Sequence, residues 1–483
     1  MVENLLLSLP KRPDILAIQI GASFILMVLL AGIMFVVPPL QVAVSVASIL
    51  IVIYFFTRPL IALFAIFIGR GVLDLLWWIP GTIAGLNMLQ LFSASVFILV
   101  STQLFLDLKR MQNHRLFRVF LIYLVLMVIA TLRSDDIIRN IDSVVRYTSP
   151  FILLFMVSIY FTDRKLRRGL LFFIALVGLI PLTTSLYHLT SGQMNAYSLH
   201  GYDRLLGGYK NLHNMALMTL VFLALWSFWL MQVRSMFKSI VLLGIIGLSC
   251  LTLYKTYIRT GILGFAVFVA AALFFSKRYR TLAITAAVAA MTILISADLQ
   301  DRFGDLLLMF DTENVMLDKR KLGSGRWGIW SMSMNEYLAR PMWDQILGIG
   351  LGGQRLMTLD WVKLFHSKHI TLDPHNDQLL LLYQIGPIGV GCYIAMQLGV
   401  VRAGREILAM PHADHFARTL AVFAIASTVM VFVTNSVSNS FIHRTSPGWY
   451  YWCFCGLLFA EHADLRRKAT AMARNLKAVP EAV

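Results

Sequence analysis

Charge is scarce in this chain. Only 14% of its 483 residues are Asp, Glu, Lys or Arg, where soluble globular proteins carry about 25%. That deficit, with 58% hydrophobic residues and a mean hydropathy of +0.73, excludes an ordinary soluble enzyme and a disordered protein. Cysteine is scarce too. Cys250, Cys392, Cys453 and Cys455 all lie inside apolar runs and read as small packing residues rather than a disulfide framework. Cys453-x-Cys455 has no second pair to complete a zinc site. The chain also lacks a G-x-S-x-G elbow, an H-E-x-x-H pair and a Walker lysine. Acidic residues are outnumbered, 25 against 42 Lys and Arg, which leaves a net charge of +17. The basic residues sit in short segments between apolar runs and not on one soluble face. A bilayer, not nucleic acid, is the partner this pattern predicts.

What is abundant is apolar sequence of spanning length. A transmembrane helix needs about 20 mostly apolar residues. Runs of this kind occur at 14–36, 40–56, 59–76, 86–106, 116–132, 144–161, 168–188, 211–233, 238–254, 259–275, 281–297, 376–400, 417–436 and 444–460. The expected fold class is therefore all-α, a polytopic integral membrane bundle of about 12–14 spans. The first run is too long for a cleavable signal peptide, and no small-residue cleavage site follows it. Placing Lys11 and Arg12 in the cytoplasm puts Arg58, Lys109 to Arg118, Arg164 to Arg168, Arg234, Lys238, Lys277 to Arg280, Arg402, Arg405 and Arg418 on the same side. The resulting bias, roughly two to one, satisfies the positive-inside rule. The tail with Arg466, Arg467 and Lys468 joins that side.

Residues 298–374 form a long polar loop on the outer face, and loops of that length are usually functional. Within 326–339, Trp327, Trp330, Met334 and Leu338 recur at helical spacing. That predicts an amphipathic helix lying on the membrane or on the bundle, ended by Pro341. The Gly-rich stretch 347–354 reads as a flexible connector. A second outer loop, about 189–210, ends in RLLGGYKN.

Ionisable groups at a membrane boundary mark function by default. Arg259 opens the tenth span, where its charge has the wrong sign for the helix dipole; anion binding explains the placement better than a snorkelling anchor. Arg326 opens the outer amphipathic helix, where free backbone N–H groups favour anions. His375, in DPHN at the start of the twelfth span, is suited to proton acceptance at neutral pH, or to capping that span. A zinc site from His366, His369 and His375 matches no standard spacing. Arg70 and Asp74, four apart within a span, read as a buried ion pair, and Gly386 and Gly389 as close helix packing. Asp135 and Asp136 have no basic or aromatic company that suggests glycosidase chemistry. Two outer arginines and one outer histidine suit transfer from a pyrophosphate-linked donor: the arginines clamp the diphosphate, and the histidine deprotonates an acceptor hydroxyl.

At this point the sequence resembles the O-antigen ligase and polysaccharide polymerase superfamily. The resemblance rests on His375-Asn376, nine residues, then Gly386-Pro387-Ile388-Gly389, with GRWGIW at 325–330 and RTGILG at 259–264 in the same order. It covers roughly residues 205–395. Val390 and Gly391 after the last glycine, and Ile258 before Arg259, depart from the usual pattern. The resemblance implies a GT-C-like, metal-independent, inverting membrane glycosyltransferase that needs no cofactor. Its donor is a glycan on undecaprenyl pyrophosphate at the periplasmic leaflet of the bacterial inner membrane. Arg259 and Arg326 hold the pyrophosphate, His375 is the base, and Asn376, Arg204, Lys210 and His213 support the site. The expected division is N-terminal spans at 1–210, a catalytic membrane region at 211–460 including the outer loop, and a cytoplasmic tail at 461–483. The span number favours a polymerase of exopolysaccharide or O-antigen, with a chain-length regulator and a flippase as partners. A ligase that uses lipid A-core as acceptor is the alternative. A lipid or solute transporter is the competing class; it would place its charges near the midplane of repeated, broken helices.

Overall fold

The structure, a computed structural model, describes residues 59–76, 82–83, 86–134, 136–192, 204–296, 300, 326–353 and 374–478. The expected spans at 14–36 and 40–56 lie outside these residues, as do Asp135, His366 and His369. Among the described residues the fold is all-α apart from one pair of two-residue β-strands, and the chain divides into two compact units at Leu106/Asp107. The first unit holds α1 (Pro59–Leu75), the pair β1 (Thr82–Ile83) and β2 (Leu86–Asn87), and α2 (Met88–Leu106). Arg70 and Asp74 form the expected buried pair at 3.4 Å. Arg70 also donates to Ser93 Oγ at 2.7 Å, which joins α1 to α2.

The second unit begins with α3 (Leu108–Gln112), α4 (Phe117–Leu132), α5 (Ile137–Tyr160), α6 (Arg164–Val177) and α7 (Leu179–Ser191). It continues with α8 (Leu212–Gln232), α9 (Met236–Lys255), α10 (Arg259–Phe275), α11 (Tyr279–Ile295), α12 (Arg326–Leu338) and α13 (Met342–Leu347). It ends with α14 (Asp377–Ala409), α15 (His415–Val437) and α16 (Thr445–Ala478). Among the described residues, seven segments are long and apolar enough to cross a membrane, and α4, α10 and α11 are shorter apolar helices. The helices match the apolar runs read from the sequence, with one refinement. The run at 168–188 is two helices, α6 and α7, that meet at Gly178. The sequence boundary at 210/211 does not coincide with the structural one, because α4 to α7 belong to the same unit as the C-terminal helices.

The core lies where α16 packs along α5, α10 along α15, and α14 between α15 and α4. Large aromatics fill it, and some of their polar atoms find partners inside the bundle. Trp449 Nε1 donates to Ser149 Oγ at 2.7 Å, and Asn435 Nδ2 donates to the Tyr393 hydroxyl at 2.8 Å. In a medium without water such groups need internal partners. The outward faces of α9 and α11 carry exposed Ile240, Leu243, Ile284 and Val288, as lipid-facing helices do.

Of the expected stripe on α12, Trp327, Met334 and Leu338 face outward and are exposed, while Trp330 is half-buried beside the buried Ile329, Ser333 and Tyr337. The helix docks through Ile329 and Tyr337, with Trp330 packed beside them, onto Leu379 and Tyr383 of α14. Residues 461–478 are the last turns of α16. Glu461 is buried there against Arg164 and Arg167 of α6, and His462 against Arg115 and the Glu406 carboxylate of α14.

Candidate functional site

The site is built around the start of α14. Asn376, not His375, caps this helix: its Oδ1 accepts from Leu379 N at 2.9 Å. Its Nδ2 donates to the Ser436 carbonyl at 2.8 Å, at the end of α15. The capping role is thereby taken, and His375 stands half-buried in a left-handed conformation at φ 47°. Few residues other than glycine adopt this conformation, histidine among the commoner ones. Trp330 of α12 donates its Nε1–H to the Pro374 carbonyl at 2.9 Å, so α12 steadies the segment that carries His375. Asp377, fully buried, accepts from Ser440 N at 2.8 Å and Ile442 N at 3.0 Å. It thereby ties the turn between α15 and α16 to the base of the same helix.

Arg326 is the first residue of α12 and Arg259 the first of α10. Arg326 donates to the carbonyl of Val437, at the last turn of α15, and lies 3.5 Å from Thr260 Oγ1. Both are neutral groups, and among the described residues no carboxylate pairs with it. Burial, and then the nearby charge of Arg259, hold the Arg326 guanidinium below its ordinary pKa. Like charges within electrostatic range repel, and an anion between them relieves that repulsion.

The loop after α7 reaches the same place. Leu205 N donates to the Lys255 carbonyl at 3.0 Å, which fixes the loop to the C-terminus of α9. Asn211 caps α8 by accepting from His213 N at 2.8 Å. His213 lies within electrostatic range of Arg444, Arg326, His375 and Arg204. Arg444, just before α16, donates to Asn214 Oδ1 at 2.8 Å and to the Asn439 carbonyl at 3.1 Å. Lys210 is exposed on the same loop. Of the residues singled out in the sequence, Arg204, His213, Arg259, Arg326, His375 and Asn376 thus come together at one end of the bundle.

The Gly-rich stretch is not a slack connector. Gly386 interrupts α14 at φ 71°, and a Cβ there would lie 2.1 Å from the Ile346 carbonyl oxygen. Gly348 returns the contact, since a Cβ on it would lie 2.5 Å from the Gln384 carbonyl. Ile349 N donates to the Tyr383 carbonyl at 2.6 Å and Gly350 N to that of Gln384 at 3.2 Å. Gly386 therefore admits the backbone of the outer loop rather than a neighbouring span. A Cβ on Gly389 would meet only the Ile385 side chain of its own helix, at 2.4 Å.

Sequence reasoning missed Arg444, Asn214 and Asp377. The meeting of Arg444 with Asn214 spans 230 residues of chain, and no local pattern signals it. Asp377 was visible inside the HND triplet, but its partners Ser440 and Ile442 were not. Among the described residues, no group of three or more His, Cys, Asp or Glu is placed to hold a metal ion.

Residues 244–394 match the sequence model of the O-antigen ligase family. The match contains Arg259, Arg326, His375, Asn376, Gly386 and Gly389, and leaves Arg204, Lys210, His213 and Arg444 outside. No curated protein matches the chain.

Proposed function

We propose that the chain is a bacterial inner-membrane glycosyltransferase that polymerises undecaprenyl-pyrophosphate-linked repeat units of an exopolysaccharide or O-antigen at the periplasmic face. The observation that carries this reading is the convergence of Arg259 and Arg326 with each other, and of Arg326 with His213, Arg204 and His375, at one end of an apolar bundle. The positive-inside bias assigns that end to the periplasm. A cluster of guanidinium groups beside one imidazole fits a leaving diphosphate and an attacking hydroxyl.

In this mechanism Arg259 and Arg326 bind the pyrophosphate of the donor. The acceptor hydroxyl gives its proton to His375 as its oxygen forms a bond to the anomeric carbon. The bond from that carbon to the pyrophosphate oxygen breaks, and its electron pair leaves with the diphosphate, whose added charge the arginines stabilise. In-line attack inverts the anomeric centre. Residues 211–460 carry the reaction, and 1–210 supply the N-terminal spans. No metal takes part in any step.

The second reading is a ligase that transfers the finished glycan to lipid A-core; the description of the matched family as O-antigen ligase favours it. One reconstitution tests both. Purified protein receives lipid-linked repeat units alone, then with lipid A-core. A ladder of longer lipid-linked glycans from donor alone establishes the polymerase. Product only with lipid A-core establishes the ligase. Normal product from His375→Ala would refute the base.

A further inference from the structure

At the end of the bundle remote from the site, a groove of about 910 Å³ opens between α4 and α14. Its floor is apolar, with Val119 from α4 and Ala395, Leu398 and Gly399 from α14. The helices meet closely there, since a Cβ on Gly399 would come 2.5 Å from Leu116 Cδ2. Leu398 is 61% exposed. The rim is basic, formed by Arg115, Arg402 and Arg466 around one carboxylate, Glu406. Arg115 holds Glu406 at 2.9 Å, Arg402 reaches it at 3.0 Å through Nε, and His462 Nε2 lies 2.7 Å from it. Three guanidinium groups against one carboxylate leave an excess of positive charge. Arg402 has its side chain 80% exposed, and Arg466 is exposed. The same face continues along α16 with Arg467, Thr470 and Arg474.

The groove's depth in the bilayer follows from helix geometry. Glu406 is twenty residues beyond Gly386, about 30 Å along α14, which is the thickness of the hydrocarbon core. The arginines therefore lie at the headgroup level of the leaflet opposite the site. Leu398, two turns back, lies among the acyl chains.

We propose that this groove binds an acidic glycerophospholipid of the cytoplasmic leaflet. Its phosphate sits between Arg402, Arg466 and Arg115, and one acyl chain lies along Val119, Ala395 and Leu398. Charge complementarity selects this occupant over a zwitterionic lipid, because each arginine near an anionic headgroup adds attraction that a compensated headgroup lacks. The apolar floor selects it over free phosphate. The proposal stands on the groove alone and does not depend on which glycan is transferred.

Native mass spectrometry of the full chain in detergent tests it, with phosphatidylglycerol, cardiolipin, phosphatidylcholine or inorganic phosphate added in turn. The acidic lipids are expected to be retained about tenfold more than phosphatidylcholine, and phosphate alone not at all. Arg402→Ala and Arg466→Ala should each cut that retention roughly fivefold. Their melting temperatures should stay unchanged, because neither arginine is buried. Equal retention of phosphatidylcholine, or retention unchanged in the double variant, would overturn the proposal. Retention of polyprenyl phosphate in place of the acidic glycerophospholipids would overturn it too.

Discussion

The N–H of Ile349 donates to the carbonyl of Tyr383 at 2.6 Å, a carbonyl that Pro387, four residues on in α14, has no N–H to satisfy. The Gly386-Pro387 pair thus breaks the helix and at the same time offers its freed carbonyls to the turn after α13. Tyr337 and Tyr383 add two more ties, from their hydroxyls to the carbonyls of Gln345 and Ser333. The outer helix that presents Arg326 is fastened to the helix that presents His375 by backbone geometry, not by side-chain charge.

Gly386→Ala should therefore detach the turn. The new methyl would overlap the Ile346 carbonyl, and alanine resists φ 71°. A loss of about 2–4 kcal/mol is expected, read as a lower melting temperature and faster protease cleavage near 346–353. Gly389→Ala should cost clearly less, because only the Ile385 side chain must move. Equal effects at both positions would contradict the lock.

Arg326→Lys should keep the charge and lose the fork. Lysine cannot hold the Val437 carbonyl and a phosphate oxygen in one plane. Donor KM is expected to rise about tenfold or more, with partial activity at saturation, and Arg259→Lys should behave alike. Full rescue by lysine at both positions would mean that simple charge attraction suffices.

Arg444→Ala should lower turnover with lipid-linked donor about tenfold or more while leaving the melting temperature within about 1–2 °C of the parent. Asn214→Ala should show a smaller loss, and the double variant less than the sum of the two. Strict additivity would indicate that the 2.8 Å contact between them does not position Arg444.

The opposite end of the bundle should govern stability. Arg167, with its side chain 0% exposed, bonds Glu461 at 2.8 Å and Asp464 at 2.9 Å. Arg167→Ala leaves the Glu461 carboxylate buried, with Arg164 at 3.8 Å as its remaining basic partner, and should cost about 3–5 kcal/mol. Glu461→Gln added to that variant should recover part of the loss. Thermal unfolding of the three proteins decides it.

Acid should weaken the same cluster. Burial alone raises the pKa of Asp464, but bonds from Lys468 and Arg167 outweigh it and hold the carboxyl below its ordinary 3.8. A carboxyl lowered in the folded state contributes its stability above the unfolded value and loses it as pH falls through the folded one. The Asp464 contribution should be complete above about pH 5 and be lost below about pH 4, read as the difference in melting temperature between the parent and Asp464→Asn.

Much of this was legible in the chain. The helices from α4 to α11 and from α14 to α16 follow the apolar runs, because lipid allows few other arrangements of backbone polar groups. Arg259 and His375 stood out as costly groups at the edge of such a run, and Arg326 as the first residue of the outer amphipathic helix. The role of Asn376 as cap was open, since either member of the His-Asn pair fits an N-terminus. The packed face of α12 was open, because three of its four apolar stripe residues turn outward and nothing in the sequence says which side has a protein neighbour.

Composition and hydropathy by themselves determined the fold class and the positions of the apolar helices, because these depend on transfer of each segment from water to lipid. The tertiary structure decided which groups meet. Arg444 with Asn214, Asp377 with the 440–442 turn, and Gly386 with Ile346 are contacts between segments distant in sequence, fixed by how helices of similar apolarity choose their neighbours. That choice depends on shape and on the few polar atoms each surface must satisfy, and neither is written in the period of the chain.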